Sequence, residues 1–396
     1  MMIASETLRA SGLSSNGILA GISRLRQRVN IDSSVLLFAL SSNAPDLPQT
    51  VHQLRHLAAQ SAGCLSTPEH PDVVSCSVAL LDAREATLFR SDIPGRPATQ
   101  VGRWHSPKRM QEKATGPPEE SMPLDFGFDW EEVWSRGLST PPLPRELQKL
   151  QFSEVGSVVY FSDDSPEGLV NSLRQLPNSD KIGMICSSTP FITGRPFTMF
   201  FNDRVYSEGA VGVAVSGTPH KFHVDLPGNL KPITPKVAIT SCEGNLINTL
   251  NNSNPTRMLL DAIEAAGIRN AKEDHYYLTL AQGSDKKHAF RVTSGDPNRG
   301  TISLESHAAP PEGSMVQLCY LGRPISWDML PTRKPGIQLF SYPQPQAYWP
   351  DQIEIAEGIN DGFVAGSENG FLVDEGSSVG GSWKCTLAGA RCSLSW

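Results

Sequence analysis

The sequence predicts an α/β (α+β) fold: two packed mixed β-sheets, one per half of the chain, with helices on the outer faces. Three observations carry that expectation. Residues 34–68 and 158–190 each run from a continuous apolar strand through a Ser/Asp/Pro loop into a helical periodicity and on to a second strand. Residues 197–216 read as a hairpin followed by a strand made almost wholly of Val, Gly and Ala. The chain after residue 267 is dominated by short strands, among them "HAFRVTS", "GTISLES", "MVQLCYLG" and "GFLVDEG".

Length and charge set the outer bounds. At 396 residues the chain suits two domains better than one small core. Its 34 Lys and Arg against 41 Asp and Glu give a formal charge of −7, which argues against non-specific nucleic-acid binding. No run of about 18 apolar residues is present, so no transmembrane helix is expected. The seven cysteines (64, 76, 186, 242, 319, 385 and 392) show no CxxC spacing. That disfavours a zinc site or a secreted disulfide framework and fits a reducing, cytoplasmic setting. Residues 1–28 carry Arg9, Arg24, Arg26 and Arg28 with several serines and Glu6 as the one acid. This composition suits a mitochondrial targeting peptide or a ragged N-terminal helix of a cytosolic protein.

The elements follow in order. In the first unit Val51, Leu54 and Leu57 mark one helix face; in the second, Ser165 reads as a cap, Pro166 as the first turn, and Leu169, Val170 and Leu173 as the buried face. Both units end in Cys-x-Ser-Thr-Pro, so Cys64, Ser66, Thr67 and Pro68 correspond to Cys186, Ser188, Thr189 and Pro190. The two readings are a duplicated unit feeding one sheet and convergence on good turn residues. Finding Val35–Phe38 and Val158–Phe161 in different sheets would overturn the duplication. Between the units, residues 94–147 are rich in Pro, Gly and charge and are expected to be mobile. Asn202-Asp203 reads as the turn of a hairpin. The following strand alternates Val211, Val213 and Val215 with Gly212 and Ala214, a bare face expected to leave room for a ligand. A helix is expected at 255–266, started by Pro255 and stopped by Gly267. A turn at Ala388-Gly389 would set Cys385 opposite Cys392 as two reduced thiols.

A nucleophilic Cys64 or Cys186 would need a base in reach, and no histidine pairs with either by spacing. His52 and His56, four apart with no third ligand, read as a solvated helix face; His220 and His223 read as a poor metal pair. No metal, no cofactor and no phosphate-binding loop are expected. What remains is a pocket: the Cys64–Thr67 turn (Cys64, Ser66, Thr67), the Cys186–Thr189 turn (Cys186, Ser188, Thr189), Arg195 and the Glu368–Asn369 loop. The amides of the two turns are expected to cradle an anion, and Glu368 with Asn369 to hold the other end of a zwitterion. The plainer readings are a solvated loop charge for Arg195 and a hairpin turn for Asn369-Gly370.

Several of these motifs share a pattern. Gly63, Cys64, Ser66 and Thr67 form a Gly-Cys-Ser-Thr-type turn; Phe197, Phe200, Asn202, Val205, Gly209, Ala210 and Val211 form a Phe-rich hairpin leading to a Gly-Ala-Val strand; Thr240, Gly244 and Asn245 follow, and "GSENGF" closes the set at 366–371. In these the chain resembles the FIST proteins, two-part (FIST N and FIST C) intracellular sensory modules. The resemblance divides the chain into an N-terminal segment 1–33, a FIST N domain 34–248 with the insertion at 94–147, and a FIST C domain 249–396. It implies a small-molecule ligand, with amino acids proposed, and signalling through protein contacts. A eukaryotic branch carries an F-box and serves as substrate receptor in a ubiquitin ligase, which makes partners of the ubiquitin system the alternative. No F-box is evident, since about 30 residues precede the strand at 34.

Overall fold

Strand Ser34–Ser41 is buried at every position, and alternation sends its two sets of side chains to different cores. Leu36, Phe38 and Leu40 pack outward against helices α1 (Ser15–Arg28) and α2 (Leu47–Arg55), meeting Ile18, Ile22, Leu25, Val51 and Leu54. Val35, Leu37 and Ala39 face inward to the larger core. The computed structural model that shows this describes residues 2–11, 15–95, 140–217, 222–268, 276–282, 286–296, 300–306, 308–322, 336–342, 358–374 and 382–395.

The class is mixed α/β, with several mixed sheets and few helices. The first sheet runs Gly358–Asp361, Met2–Ser11, Val73–Asp82, Ser34–Ser41, Gln60–Ser66, Met199–Phe201, Arg204–Tyr206. The second runs Trp383–Cys385, Phe371–Asp374, Asp180–Ile185, Val155–Ser162, Ala210–Ser216, Ala86–Ser91. Helix α3 (Glu167–Leu173) buries Leu169, Val170 and Leu173, and the single turn α4 (Pro190–Thr193) follows the second sheet's Asp180–Ile185. A third sheet orders Phe222–Asp225, Arg391–Leu394, Ile337–Ser341, Phe363–Ser367.

The fourth sheet holds Leu230–Pro232, Met315–Leu321, Val237–Glu243, Leu246–Leu250, Thr301–Leu304, Lys286–Asp296 and Tyr276–Gln282. Its last strand pairs back onto Met315–Leu321, from Tyr276↔Tyr320 to Leu280↔Val316. Six antiparallel strands therefore close into a barrel, which leaves no open edge within the ring. Helix α5 (Pro255–Ala265) packs on the barrel; Asn254 accepts the Arg257 N–H as its cap, and Gly267 follows at φ +64°, the left-handed stop a glycine supplies.

Several expectations change here. The strands are not partitioned one sheet per half, because Phe371–Asp374 and Trp383–Cys385 from the C-terminal part join the second sheet. Residues 2–11 are no segment outside the fold: they form a strand between Val73–Asp82 and Gly358–Asp361. The one-sheet duplication is overturned, since Ser34–Ser41 and Val155–Ser162 lie in different sheets. Each nevertheless has the same neighbours, a parallel strand on one side and an antiparallel one on the other. Phe38 lies over Gly63 and Tyr160 over Gly183 at paired positions, where a Cβ would stand 2.5 and 2.3 Å from the ring. The Cys-x-Ser-Thr-Pro motifs do not share that register. Cys64 lies inside its strand opposite Ala39, while Cys186 follows the last pair, Ser162↔Ile185.

The bare strand is bare for a packing reason. Gly212 pairs with Tyr160 and Phe89, and a Cβ there would meet both side chains at 2.8 Å. Aromatic rings fill the room that was expected to hold a ligand. At the C-terminus the turn at Ala388-Gly389 forms, with Ala390 N–H donating to Leu387 O at 2.9 Å, but its arms part into the second and third sheets. Cys385 and Cys392 are therefore not hairpin partners; both are buried free thiols. Of the Pro-rich segment, 96–139 lies outside the described residues, and Leu143 and Leu147 at its end are core. His220 also lies outside them.

Candidate functional site

The strand Phe363–Ser367 carries the deciding loop to the first sheet. Thr7 and Ser77, both buried, bring their hydroxyls within 2.8 Å of each other and bind the backbone of this strand: Thr7 Oγ1 donates to Gly362 O at 2.8 Å, Val364 N–H donates to Thr7 Oγ1 at 3.1 Å, and Ser77 Oγ donates to Val364 O. Thr67 N–H donates to Gly366 O at 2.9 Å, which fixes the first turn against the strand's end. Gly370 at φ +87°, with Cys385 O 2.1 Å from any Cβ, turns the chain sharply after Asn369.

This places Glu368 between the two turns. Its carboxylate accepts Ser188 N–H at 2.8 Å, Ser187 Oγ at 3.4 Å and the Thr67 hydroxyl, and its own N–H donates to Thr67 Oγ1 at 3.1 Å. Asn369 Nδ2 donates to Cys186 O at 2.9 Å and to Ser188 Oγ at 3.3 Å. Ser187 N–H donates to Leu65 O at 3.2 Å and joins the turns directly. Among the described residues no Lys, Arg or His approaches Glu368 within 4.0 Å, so its charge rests on hydrogen-bond donors alone.

Cys64 and Cys186, at these two turns, are both fully buried, and their thiols are close enough to influence each other. Burial, the Cys64 contact and the nearby carboxylates of Asp163 and Glu368 push the Cys186 thiol far above its ordinary range. It stays protonated at neutral pH, the opposite of what a nucleophilic thiolate needs. Asp163 is itself pushed up, mainly by burial, although Gly209 and Ser165 N–H groups donate to it at 2.6 and 3.0 Å. Ser162 Oγ, next to Asp163, is buried without a hydrogen-bond partner among the described residues.

The structure therefore brings together Cys64, Thr67, Cys186, Ser188, Glu368 and Asn369. Ser66 is buried close by, with its carbonyl accepting Ser42 N–H at 2.9 Å. Thr189 and Arg195 serve elsewhere. The Thr189 hydroxyl donates to Arg195 O at 3.0 Å and lies 2.7 Å from Thr198 Oγ1, holding the base of the 190–198 loop. The Arg195 guanidinium donates to Ser207 Oγ at 2.7 Å. The amide expected to receive a ligand's anion is taken by Glu368, because a fixed carboxylate costs less to place there than a free one. Asp163 was missed, hidden in the Ser162–Ser165 run that reads as ordinary turn.

Behind the site, Arg9 grips Glu69 with two hydrogen bonds of 2.8 Å, both side chains buried. Glu69 follows the Thr67 turn by two residues, so the pair fixes that turn to the strand Met2–Ser11. The turns, the Phe-rich hairpin and the Gly-Ala-Val strand all fall within residues 7–253, which match the family model described as the FIST N domain. The chain belongs to the FIST family. No curated protein matches it. FIST domains are associated with sensory modules of signal transduction. In this FIST protein Glu368 lies beyond the matched residues, so the site is assembled from the FIST N region and a loop outside it.

Proposed function

We propose that this FIST protein is a sensory module that binds a small molecule at the Glu368 junction and relays binding through protein contacts, with residues 249–396 acting as the companion FIST C part. One observation carries the reading: a carboxylate from the C-terminal part is held by donors from both strand–helix–strand units and meets no cation within 4.0 Å among the described residues. A half-buried carboxylate so placed favours a ligand with a positively charged nitrogen, since the remaining acceptor positions want donors. The amino group of an amino acid has that chemistry. A ligand touching Glu368 also touches the joint between the two parts, which gives binding a route to a change in their packing.

The test is native mass spectrometry of the purified chain, followed by thermal-shift titration with free amino acids and with their N-acetylated forms. A bound or stabilising amine that is lost on acetylation and in Glu368→Gln supports the reading. Equal stabilisation by acetylated compounds, or full binding in Glu368→Gln, overturns it. Ubiquitin-ligase subunits recovered with the intact chain, in the absence of any small-molecule ligand, would favour an adaptor instead.

A further inference from the structure

His52 in helix α2 and His56 at the helix's C-cap are both exposed, one turn apart. Their Nε2 atoms lie 3.2 Å from each other, and the rings meet edge to face with centroids 4.5 Å apart. The sequence spacing suggested only a solvated face; the side-chain geometry says more. Two imidazole nitrogens bound to one metal ion at about 2.0–2.1 Å stand about 3.3 Å apart in a tetrahedral site, and about 3.0 Å apart at neighbouring octahedral positions. The observed separation lies between these values, and it involves the same nitrogen of each ring.

We propose that His52 and His56 form a two-nitrogen chelate for a divalent transition ion such as Zn²⁺, Ni²⁺, Cu²⁺ or Co²⁺, with water completing the shell. Imidazole nitrogen selects these ions over Mg²⁺ and Ca²⁺, which prefer oxygen. The helix supplies the spacing, because side chains at i and i+4 are surface neighbours. The bite is also anchored: Val51 and Leu54 are buried on the opposite side, and Asp46 caps the helix by accepting Gln49 N–H at 3.2 Å. The nearest cation in sequence, Arg55, is turned aside into an ion pair with Asp203 of the hairpin and does not compete for the site unneutralised. Without a metal one ring donates to the other; a metal takes both lone pairs at once. The site stands apart from Glu368, on a helix that covers the outer face of the first sheet.

The test uses the full chain without a histidine tag, titrated calorimetrically with NiCl₂ and ZnCl₂, with MgCl₂ as control. One Ni²⁺ per chain is expected, with a rise in unfolding temperature that Mg²⁺ does not give. His52→Gln and His56→Gln should each weaken Ni²⁺ binding at least tenfold; both positions are exposed, so the variants should keep the wild-type circular dichroism. Cys242→Ser, which removes the most accessible thiol among the described residues, should leave binding unchanged. Retained binding in either histidine variant overturns the proposal. So does loss of binding in Cys242→Ser, or no Ni²⁺ bound at millimolar metal.

Discussion

Glu69→Ala should be among the most damaging single substitutions in this protein. Glu69 is 2% exposed, and the Arg9 side chain it holds is 9% exposed, so neither charge has water to fall back on. Burial works against the Arg9 charge, but the Glu69 carboxylate and its two hydrogen bonds outweigh it and keep the guanidinium firmly protonated. Truncating Glu69 leaves that guanidinium buried and unpaired, which costs about 3–5 kcal/mol. That is a large share of the roughly 5–15 kcal/mol that stabilises a typical folded protein. At roughly 2 °C per kcal/mol for a chain of this size, the unfolding temperature should fall by about 6–10 °C. Urea unfolding followed by tryptophan fluorescence, with calorimetry alongside, reads both quantities. The paired replacement Arg9→Met with Glu69→Leu should recover most of the loss, because an apolar pair of similar volume leaves nothing unpaired. A loss below about 1 kcal/mol in Glu69→Ala would mean that water reaches Arg9. A double variant as unstable as the single would mean that the loss was packing rather than charge.

Three further outcomes are expected. Gly183→Ala places a Cβ 2.3 Å from the Tyr160 ring and should cost about 1–3 kcal/mol in urea unfolding, with recovery in combination with Tyr160→Leu but not Tyr160→Phe. Asp225 is held below its ordinary range: burial pushes it up, but Arg391 at 2.7 Å and His223 at 2.8 Å outweigh that. The folded state then holds fewer protons than the unfolded one, so this contribution is present above about pH 4 and lost as pH falls further; acid unfolding of Asp225→Asn should lack that part of the slope, and an unchanged slope would refute the assignment. All seven thiols are free and six are buried, so a thiol reagent should label Cys242 first in the native protein and all seven after denaturation; rapid native labelling of Cys186 would contradict its burial.

What the sequence disclosed was local, and what it hid was the pairing of distant strands. Asn202 at φ +50°, the Asn254 cap before Pro255 and Gly267 at φ +64° sit where turn and cap chemistry put them, because those signals act within a few residues. Residues 1–28 were read by composition, with Arg9 counted beside Arg24, Arg26 and Arg28, whereas Arg9 is spent on a single buried partner 60 residues away. Gly212 looked like room for a ligand because periodicity cannot show that Tyr160 and Phe89 pair with it in the sheet. The meeting of the Cys64–Thr67 turn, the Cys186–Thr189 turn and the Glu368 loop was legible from small polar residues at strand ends. Which charge sits in which amide was not, since this depends on a strand pair, Ile337–Ser341 with Phe363–Ser367, that has no local signature.

That Glu368 arrives from outside the FIST N region bears on how binding would be transmitted. Thr67, Ser187 and Ser188 lie in the turns that follow strands of the two sheets, and they hold Glu368 only while the strand Phe363–Ser367 lies against Thr7 and Ser77. A ligand that needs Glu368 in place binds this docked arrangement and not an undocked one. At a hundred times its dissociation constant it would stabilise docking by about 2.7 kcal/mol. By reciprocity, anything that loosens the strand weakens the ligand by the same factor. Thr7→Val together with Ser77→Ala tests this coupling, because both hydroxyls bind the strand's start at Gly362 and Val364, while Glu368's donors hold the residue after its end. Ligand affinity should drop in step with the stability lost. Lower stability with unchanged affinity would show that Glu368 stays in place without the docked strand, and the coupling would then have no physical carrier.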